Sequence, residues 1–481
     1  MTMSDITVES SASAATEARH RRMLVWTTTD IGYVIYQDNA AFIVYRKTID
    51  GGTSWGAPVT IDSSDDDSWD IWFDKWTPGD TGTLIHIWWL DAGNHDIRYR
   101  TIDTNNDALG VIRVVFDGVS FSAVAFRDNG ALSGVKARGG NLYCQFWGDS
   151  SGEHGFARSV NGGVTWTART DGADSNIVDE VILLPDAVSA DFQDICMIYW
   201  DRTNNQLSLK KYDNSANSWT ETLISAGMTD SNAVLQIDAV LRHSDGNIIV
   251  AAWNATDVVT ADLQCWDIAV ATPTITAKTN IVTNTDDCVC CALFIDQFTD
   301  DLYCAYLGNE DGSEVYQATL TVFYKKSTDG GGSWGAQTAY QENAADDMRA
   351  IQAGHSTPGA IVGRFEPVFF NDDLADLFVN KNNSVITGGG NGGGGGVGDK
   401  SQSLESSLAR LAGINRGVAK EFSLGQLVGT PRGVASAEFL AGQLLGTSRI
   451  SLESTLGRLA GMRGRTSAEF AAKILRENGL P

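Results

Sequence analysis

The sequence predicts an all-β chain: a seven-bladed β-propeller, with six blades as the alternative, followed by a glycine-rich linker and a tail of short helical repeats. Three observations predict it. A strand-rich unit recurs every 52 to 62 residues, a glycine run follows at 387–400, and a second repeat of 15 to 17 residues lies behind that run.

The long period is clearest in three segments, Thr48 to Trp55 (TIDGGTSW), Ser159 to Trp166 (SVNGGVTW) and Ser327 to Trp334 (STDGGGSW). Each follows an alternating strand pattern: FIVYRK, HGFAR and TVFYKK. Weaker copies lie around Asp103, Asp213, Asp267 and Asn382, giving seven marks at spacings of 53, 58, 52, 54, 62 and 53. Within the second unit DIWFDKW, TLIHIWWLD, DIRYRTID and VIRVVFD read as four strands, since apolar residues alternate and Gly, Asn and Asp punctuate the turns. Four-stranded antiparallel sheets repeated radially make a propeller. The last unit, Asp347 to Ile386, shows only three strands, so the N-terminal segment ITVES is expected to supply the fourth. The division expected is an N-terminal arm at 1–20, a propeller at 21–386, a linker at 387–400 and helical repeats at 401–481.

The three strong segments resemble the Asp-box, or BNR, repeat of sialidase-like propellers, over roughly Arg21 to Ile386. The resemblance implies that each box closes the hairpin between the third and fourth strands of a blade. The chemistry of the residues agrees. The glycine pair supplies positive φ, Asp50, Asn161 and Asp329 accept bonds from turn amides, and Trp55, Trp166 and Trp334 pack between blades. These six residues are assigned structural roles. In the family, three arginines clamp a carboxylate, a Tyr and a Glu form the nucleophile pair and an Asp serves as acid or base. The family's Arg-Ile-Pro signature is missing here. Arg21 and Arg22 precede MLVW, and Gly363 to Pro367 (GRFEP) has different neighbours, so no catalytic residue carries over. Arg127, Arg242 and Arg349 are the remaining arginines near expected inner strands.

Loops leading into those strands are acidic instead, and Asp67, Asp117, Asp174, Asp230, Asp287 and Asp347 are the candidate mouth carboxylates. Three readings stand for them: solvated loop charges, hard oxygen ligands for a cation such as Ca²⁺, or a carboxylate pair for neutral glycoside hydrolysis. A negative mouth repels an anionic sugar, which counts against sialidase chemistry. Adjacent Trp88 and Trp89 must point to opposite faces of a strand. One of the pair is therefore expected outside the blade core, as a glycan-stacking candidate. The six histidines show no metal-ligand spacing and flank no nucleophile turn, so neither zinc nor another cofactor is expected beyond the Ca²⁺ reading.

Charge separates the parts further. The chain carries 60 Asp plus Glu against 35 Lys plus Arg, a net charge of −25, but Asp399 to Pro481 holds 11 Lys plus Arg and only 7 Asp plus Glu. The acidic remainder lacks the basic surface that nucleic acid requires. No run approaches a membrane span, and no secretion signal is expected at the start. Seven cysteines, an odd number without a CxxC pair, read as small buried hydrophobes, with a Cys288 to Cys304 bridge as the alternative. The glycine run nearly spells a phosphate-binding loop, but Asp399 separates Gly398 from Lys400 and no parallel strand precedes it.

The tail repeats SLESSLARLAG, KEFSLGQLVG, AEFLAGQLLG, SLESTLGRLAG and AEFAAKIL place Leu404, Leu408, Leu411, Leu424, Leu427, Leu452, Leu456 and Leu459 at helical spacing, and most copies stop at a glycine. Each is expected to be a two- to three-turn helix. Helices this short are marginal alone in water, so they need a partner surface. This pattern resembles C-terminal tails of structural proteins in tailed phages. The resemblance implies a virion protein of head or tail, present in several copies or as a homo-oligomer. Its propeller would face a host-surface glycan or receptor, and its repeats would grip other virion proteins. The alternative is a secreted or surface-attached sialidase-like glycoside hydrolase.

Overall fold

The computed structural model describes residues 5–380 apart from 13–21, 65, 92, 119–131, 148–153, 174–178, 229–236, 255–260, 285–287, 312–319, 342–347, 357–365 and 372. The chain divides into Met1–Gly390 and Asn391–Pro481; the tail leucines lie outside the described residues.

Seven antiparallel sheets make up the first unit. Blade 1 is β2 (Leu24–Trp26), β3 (Gly32–Gln37), β4 (Ile43–Thr48) and β5 (Val59–Thr60). Blade 2 is β6 (Asp66–Phe73), β7 (Leu84–Asp91), β8 (Asp96–Asp103), short β9 (Ala108–Leu109) and β10 (Arg113–Phe116). Blade 3 is β11 (Leu132–Lys136), β12 (Leu142–Trp147), β13 (His154–Ser159) and β14 (Thr167–Arg169). Blade 4 is β15 (Glu180–Pro185), β16 (Ile195–Asp201), β17 (Gln206–Asp213) and β18 (Ser218–Ala226). Blade 5 is β19 (Ile237–Leu241), β20 (Ile248–Trp253), β21 (Leu263–Ala269) and β22 (Thr274–Ala277), and blade 6 is β23 (Val289–Asp296), β24 (Asp301–Leu307), β25 (Val322–Ser327) and β26 (Thr338–Ala339). Blade 7 joins β27 (Met348–Gln352), β28 (Val368–Asn371) and β29 (Asp376–Asn380) to β1 (Asp5–Glu9). The described residues form a seven-bladed propeller, nearly all β.

The N-terminal strand closes the circle. Asp5 pairs with Asn380 and Ile6 with Val379, so Asp5–Glu9 supplies the fourth strand of blade 7, as expected of ITVES, from within the stretch assigned to an arm at 1–20. Glu9 then latches blade 7 to blade 1, accepting bonds from Tyr36 Oη at 2.5 Å and Arg46 Nη2 at 2.7 Å.

Blades pack on both faces, and this decides their sequence pattern. All seven residues of β16 and all eight of β23 are buried, so strands sandwiched between neighbours read as continuous apolar runs rather than alternations. The same fact corrects the expectation for Trp88 and Trp89: both are 0% exposed. Trp88 packs on Tyr99 and over Gly134 of blade 3, while Trp89 donates its indole N–H to Asp62 at 3.1 Å. A strand with both faces covered has no outside for either ring.

All seven cysteines are buried and none forms a disulfide, so Cys288 and Cys304 are not bridged. Burial pushes the Cys265 thiol up to about 12, which leaves it unreactive. Among the described residues, no helix is long and apolar enough to cross a membrane.

Candidate functional site: the propeller axis and its two faces

Antiparallel order puts the turns between first and second strands, and between third and fourth, on one face. The loops leading into inner strands, with the turns between second and third strands, form the opposite face, the mouth. The three repeated turns lie on the first face, and their geometry is the same each time. Thr48 Oγ1 accepts from Gly52 N–H, and Ser159 Oγ and Ser327 Oγ from Gly163 and Gly331, each at 2.9 Å. The carboxylate or amide oxygen of Asp50, Asn161 and Asp329 accepts the N–H four residues on, at 3.0, 3.0 and 2.8 Å. Both glycines of each turn have φ between 69° and 87°, a region costly for other residues. Hydroxyl donation by Ser54 and Ser333, with their backbone N–H groups, holds the Asp50 and Asp329 carboxyls down at about 2.

The turn tryptophans stitch blades. Trp166 packs on Tyr99 of blade 2 with ring centroids 5.4 Å apart, and Trp334 donates to Thr279 O behind blade 5 at 3.0 Å. Trp219, from a weaker repeat, donates to Thr170 O of the preceding blade. Trp55 instead meets Trp26 of its own blade at 6.2 Å.

At the centre, Arg22 sits 3% exposed. Its guanidinium donates to Ile71 O of blade 2 (3.3 Å), Gly134 O of blade 3 (3.4 Å) and Leu183 O of blade 4 (3.1 Å), pairs with Asp70 at 3.4 Å and lies over Trp72. Around it, side chains on one inner strand accept backbone N–H groups from the next. Asp70 takes Gly134 N, Ser133 takes Leu183 N, Glu180 takes Ile237 N and Asp238 takes Leu293 N. Glu180 also binds Arg202 at 2.8 Å, and Arg202 N–H and Tyr199 Oη both donate to Asp179. Among the described residues, the polar side chains of the inner strands of blades 2 to 5 are committed to neighbouring blades. Arg22 is spent on three carbonyls and a carboxylate, which leaves it unable to clamp a ligand anion.

Sequence reading set Arg22 aside and missed Asp70, Ser133, Glu180 and Asp238. The available signal was a polar residue interrupting or heading an apolar inner strand, as in DSWDIWF, EVILLP and IDAVL. Arg242, a candidate for convergence on the axis, lies just past β19 on the face of the repeated turns, paired with Asp245 at 2.6 Å and Asp267 at 3.0 Å.

Of the mouth carboxylates, Asp117 is exposed just after β10, where its charge raises the Asp96 carboxyl already pushed up by burial. Asp67 belongs to β6. Asp174, Asp230, Asp287 and Asp347 lie outside the described residues, as does Arg127. Near Asp117, Arg98 gathers Asp62 (2.9 Å), Asp91 (2.6 Å) and Asp96 (3.7 Å). Among the described residues no group of three or more His, Cys, Asp or Glu is arranged to hold a metal ion.

No protein-family model and no curated protein sequence matches the chain. Solved structures similar to it include an ulvan lyase of a new polysaccharide-lyase family (12% identity, TM-score 0.46, covering 79% of this chain and 94% of that one). Others are a protein from Arthrobotrys oligospora (14%, 0.44, 70% and 90%) and the fucose-specific lectin from Aleuria aurantia (13%, 0.41, 68% and 97%). The blade count rests on the sheet topology itself.

Proposed function

We propose that this chain is an adhesive display protein. The propeller presents its mouth to a host-surface glycan or receptor, and the C-terminal repeats fasten several copies to a larger particle, the head or tail of a tailed-phage virion. The turns at Asp50, Asn161 and Asp329 are read as Asp boxes kept for their structural role. The observation that carries an adhesive over a hydrolytic reading is the occupied axis. Arg22, Asp70, Glu180 and Asp238 are all committed to neighbouring blades, where an exo-glycosidase needs unspent arginines or carboxylates facing its sugar. Excess acid on the propeller favours a neutral or cationic ligand over an anionic sugar.

Full-length protein passed over a panel of immobilised neutral and acidic glycans, with released sugar measured alongside retained protein, tests this reading. Retention on a neutral glycan without release supports it. Sugar release that scales with added protein refutes it. Repeating the panel with Ca²⁺ and with a chelator tests whether the mouth carboxylates act as Ca²⁺ ligands, a reading that requires retention to fall when the ion is removed.

A further inference from the structure

The floor of the axis, on the face of the repeated turns, is closed by residues from blades that are not sequence neighbours. The stretch 353–356 after β27 crosses there. His355 packs tilted between Trp72 and Trp76 of blade 2 (centroids 5.0 and 5.8 Å, interplanar 45° and 52°), and Trp76 donates its indole N–H to Ser356 O at 2.8 Å. Ser356 bridges Ile295 of blade 6, and a side chain at Gly354 would meet Leu24 O of blade 1 at 2.5 Å. From blade 5, His243 Nε2–H donates to Trp76 O at 2.9 Å and Leu241 N–H donates to His355 Nε2 at 3.2 Å.

The last bond fixes a protonation state. A nitrogen that accepts a backbone N–H carries no proton, so His355 is neutral in the closed floor. Adding a proton to Nε2 forfeits the Leu241 bond and puts two donors face to face. The charged and titratable groups around the imidazole are Arg22 from the segment before β2, His243 from blade 5, and Asp70, which Arg22 already holds. Glu366 lines a small cavity together with Gly354 and Ser356.

We propose that 353–356 is an acid-released plug: protonation of His355 breaks its bond to Leu241, sets a second cation beside Arg22 and frees the stretch from the floor of the axis while the blades stay folded. Burial, then Arg22 and His243, hold the imidazole well below its usual range, against a weaker pull from the Ala239 backbone. The sign follows from the released state binding the proton more tightly. The plug is fully seated above the ordinary histidine value of about 6.5 and loosens as pH falls below it.

Hydrogen exchange of the full-length chain from pH 7.5 to 4, corrected for the intrinsic pH dependence, tests this. Exchange at Leu241 and 353–356 should rise about tenfold per pH unit while Gly134 and Leu183 stay protected, and His355→Gln should abolish the rise. A flat profile, a simultaneous loss of protection in every blade, or an unchanged rise in His355→Gln overturns the proposal. Should His355→Gln fail to fold, titration of the wild-type imidazole by NMR decides: a midpoint matching the exchange rise supports the plug, and a mismatch overturns it.

Discussion

Replacing Arg22 by Met keeps a long side chain at the axis and removes the charge that three blades share. The loss leaves three carbonyls without their donor and Asp70, fully buried, without its cation. Breaking a buried pair from one side costs about 3–5 kcal/mol. With roughly 370 residues in the propeller, unfolding entropy is about 0.8 kcal/mol/K, so the melting temperature should fall by about 4–6 °C. The deficit should depend on pH. Burial already pushes the Asp70 carboxyl up, and only Arg22 and the hydrogen bonds from Gly134, Ser133 and Ile71 oppose it. Without Arg22 its folded value, already above the unfolded one, rises further, so the contribution it makes below about pH 4 is lost more completely as pH rises. Scanning calorimetry should therefore find the variant's deficit larger at pH 8 than at pH 5. Adding Asp70→Asn should restore part of it, since the buried charge is then gone. A shift below 1 °C at pH 8, or no recovery in the double variant, would refute the axial-pin reasoning.

The repeated turns supply their own control. Asp50 and Asp329, held at about 2, stabilise their turns above pH 4 and lose that contribution as pH falls toward 2, whereas Asn161 does not titrate. Corrected exchange at Ser54 and Ser333 should rise over that range while Thr165 stays unchanged. Gly134→Ala places a Cβ 2.1 Å from the Trp88 ring and should cost about 1–3 kcal/mol by overpacking, read as a lower denaturation midpoint with unchanged slope. Glu9→Ala removes the acceptor shared by Tyr36 and Arg46, a loss of about 1.5–3 kcal/mol in charge-assisted bonds. Limited proteolysis should then cut at β1 before any other strand.

The fold was legible because its signals are local. Glycine pairs, a turn Asp or Asn and a stitching Trp recur at near-constant spacing, and each mark falls at or within a few residues of the end of a third strand, as at Asp103 and Asp213. Even the closing strand was readable, since a blade short of one strand must borrow it. The axis was much less so. Arg22 lies 48 residues from Asp70 and 161 from Leu183 in sequence, and only the radial arrangement brings them together. Trp88 and Trp89 misled because alternation assumes one wet face, which a strand between two packed blades lacks. A repeated mouth turn was also missed, although D-x-x-N after the second strand marks it: Asp91 binds Asn94, and Asp201 binds Asn204, through backbone and side chain alike.

Display on a particle through the leucine repeats is the central claim, and incorporation tests it most directly. Full-length chain and a full-length variant carrying Leu452, Leu456 and Leu459 as Ser would be produced in the source host and counted per purified particle by quantitative mass spectrometry. The account predicts several wild-type copies per particle and loss of most of them in the variant, with the propeller's melting temperature unchanged. Absence of the wild-type chain from particles, or equal incorporation of both, would contradict it.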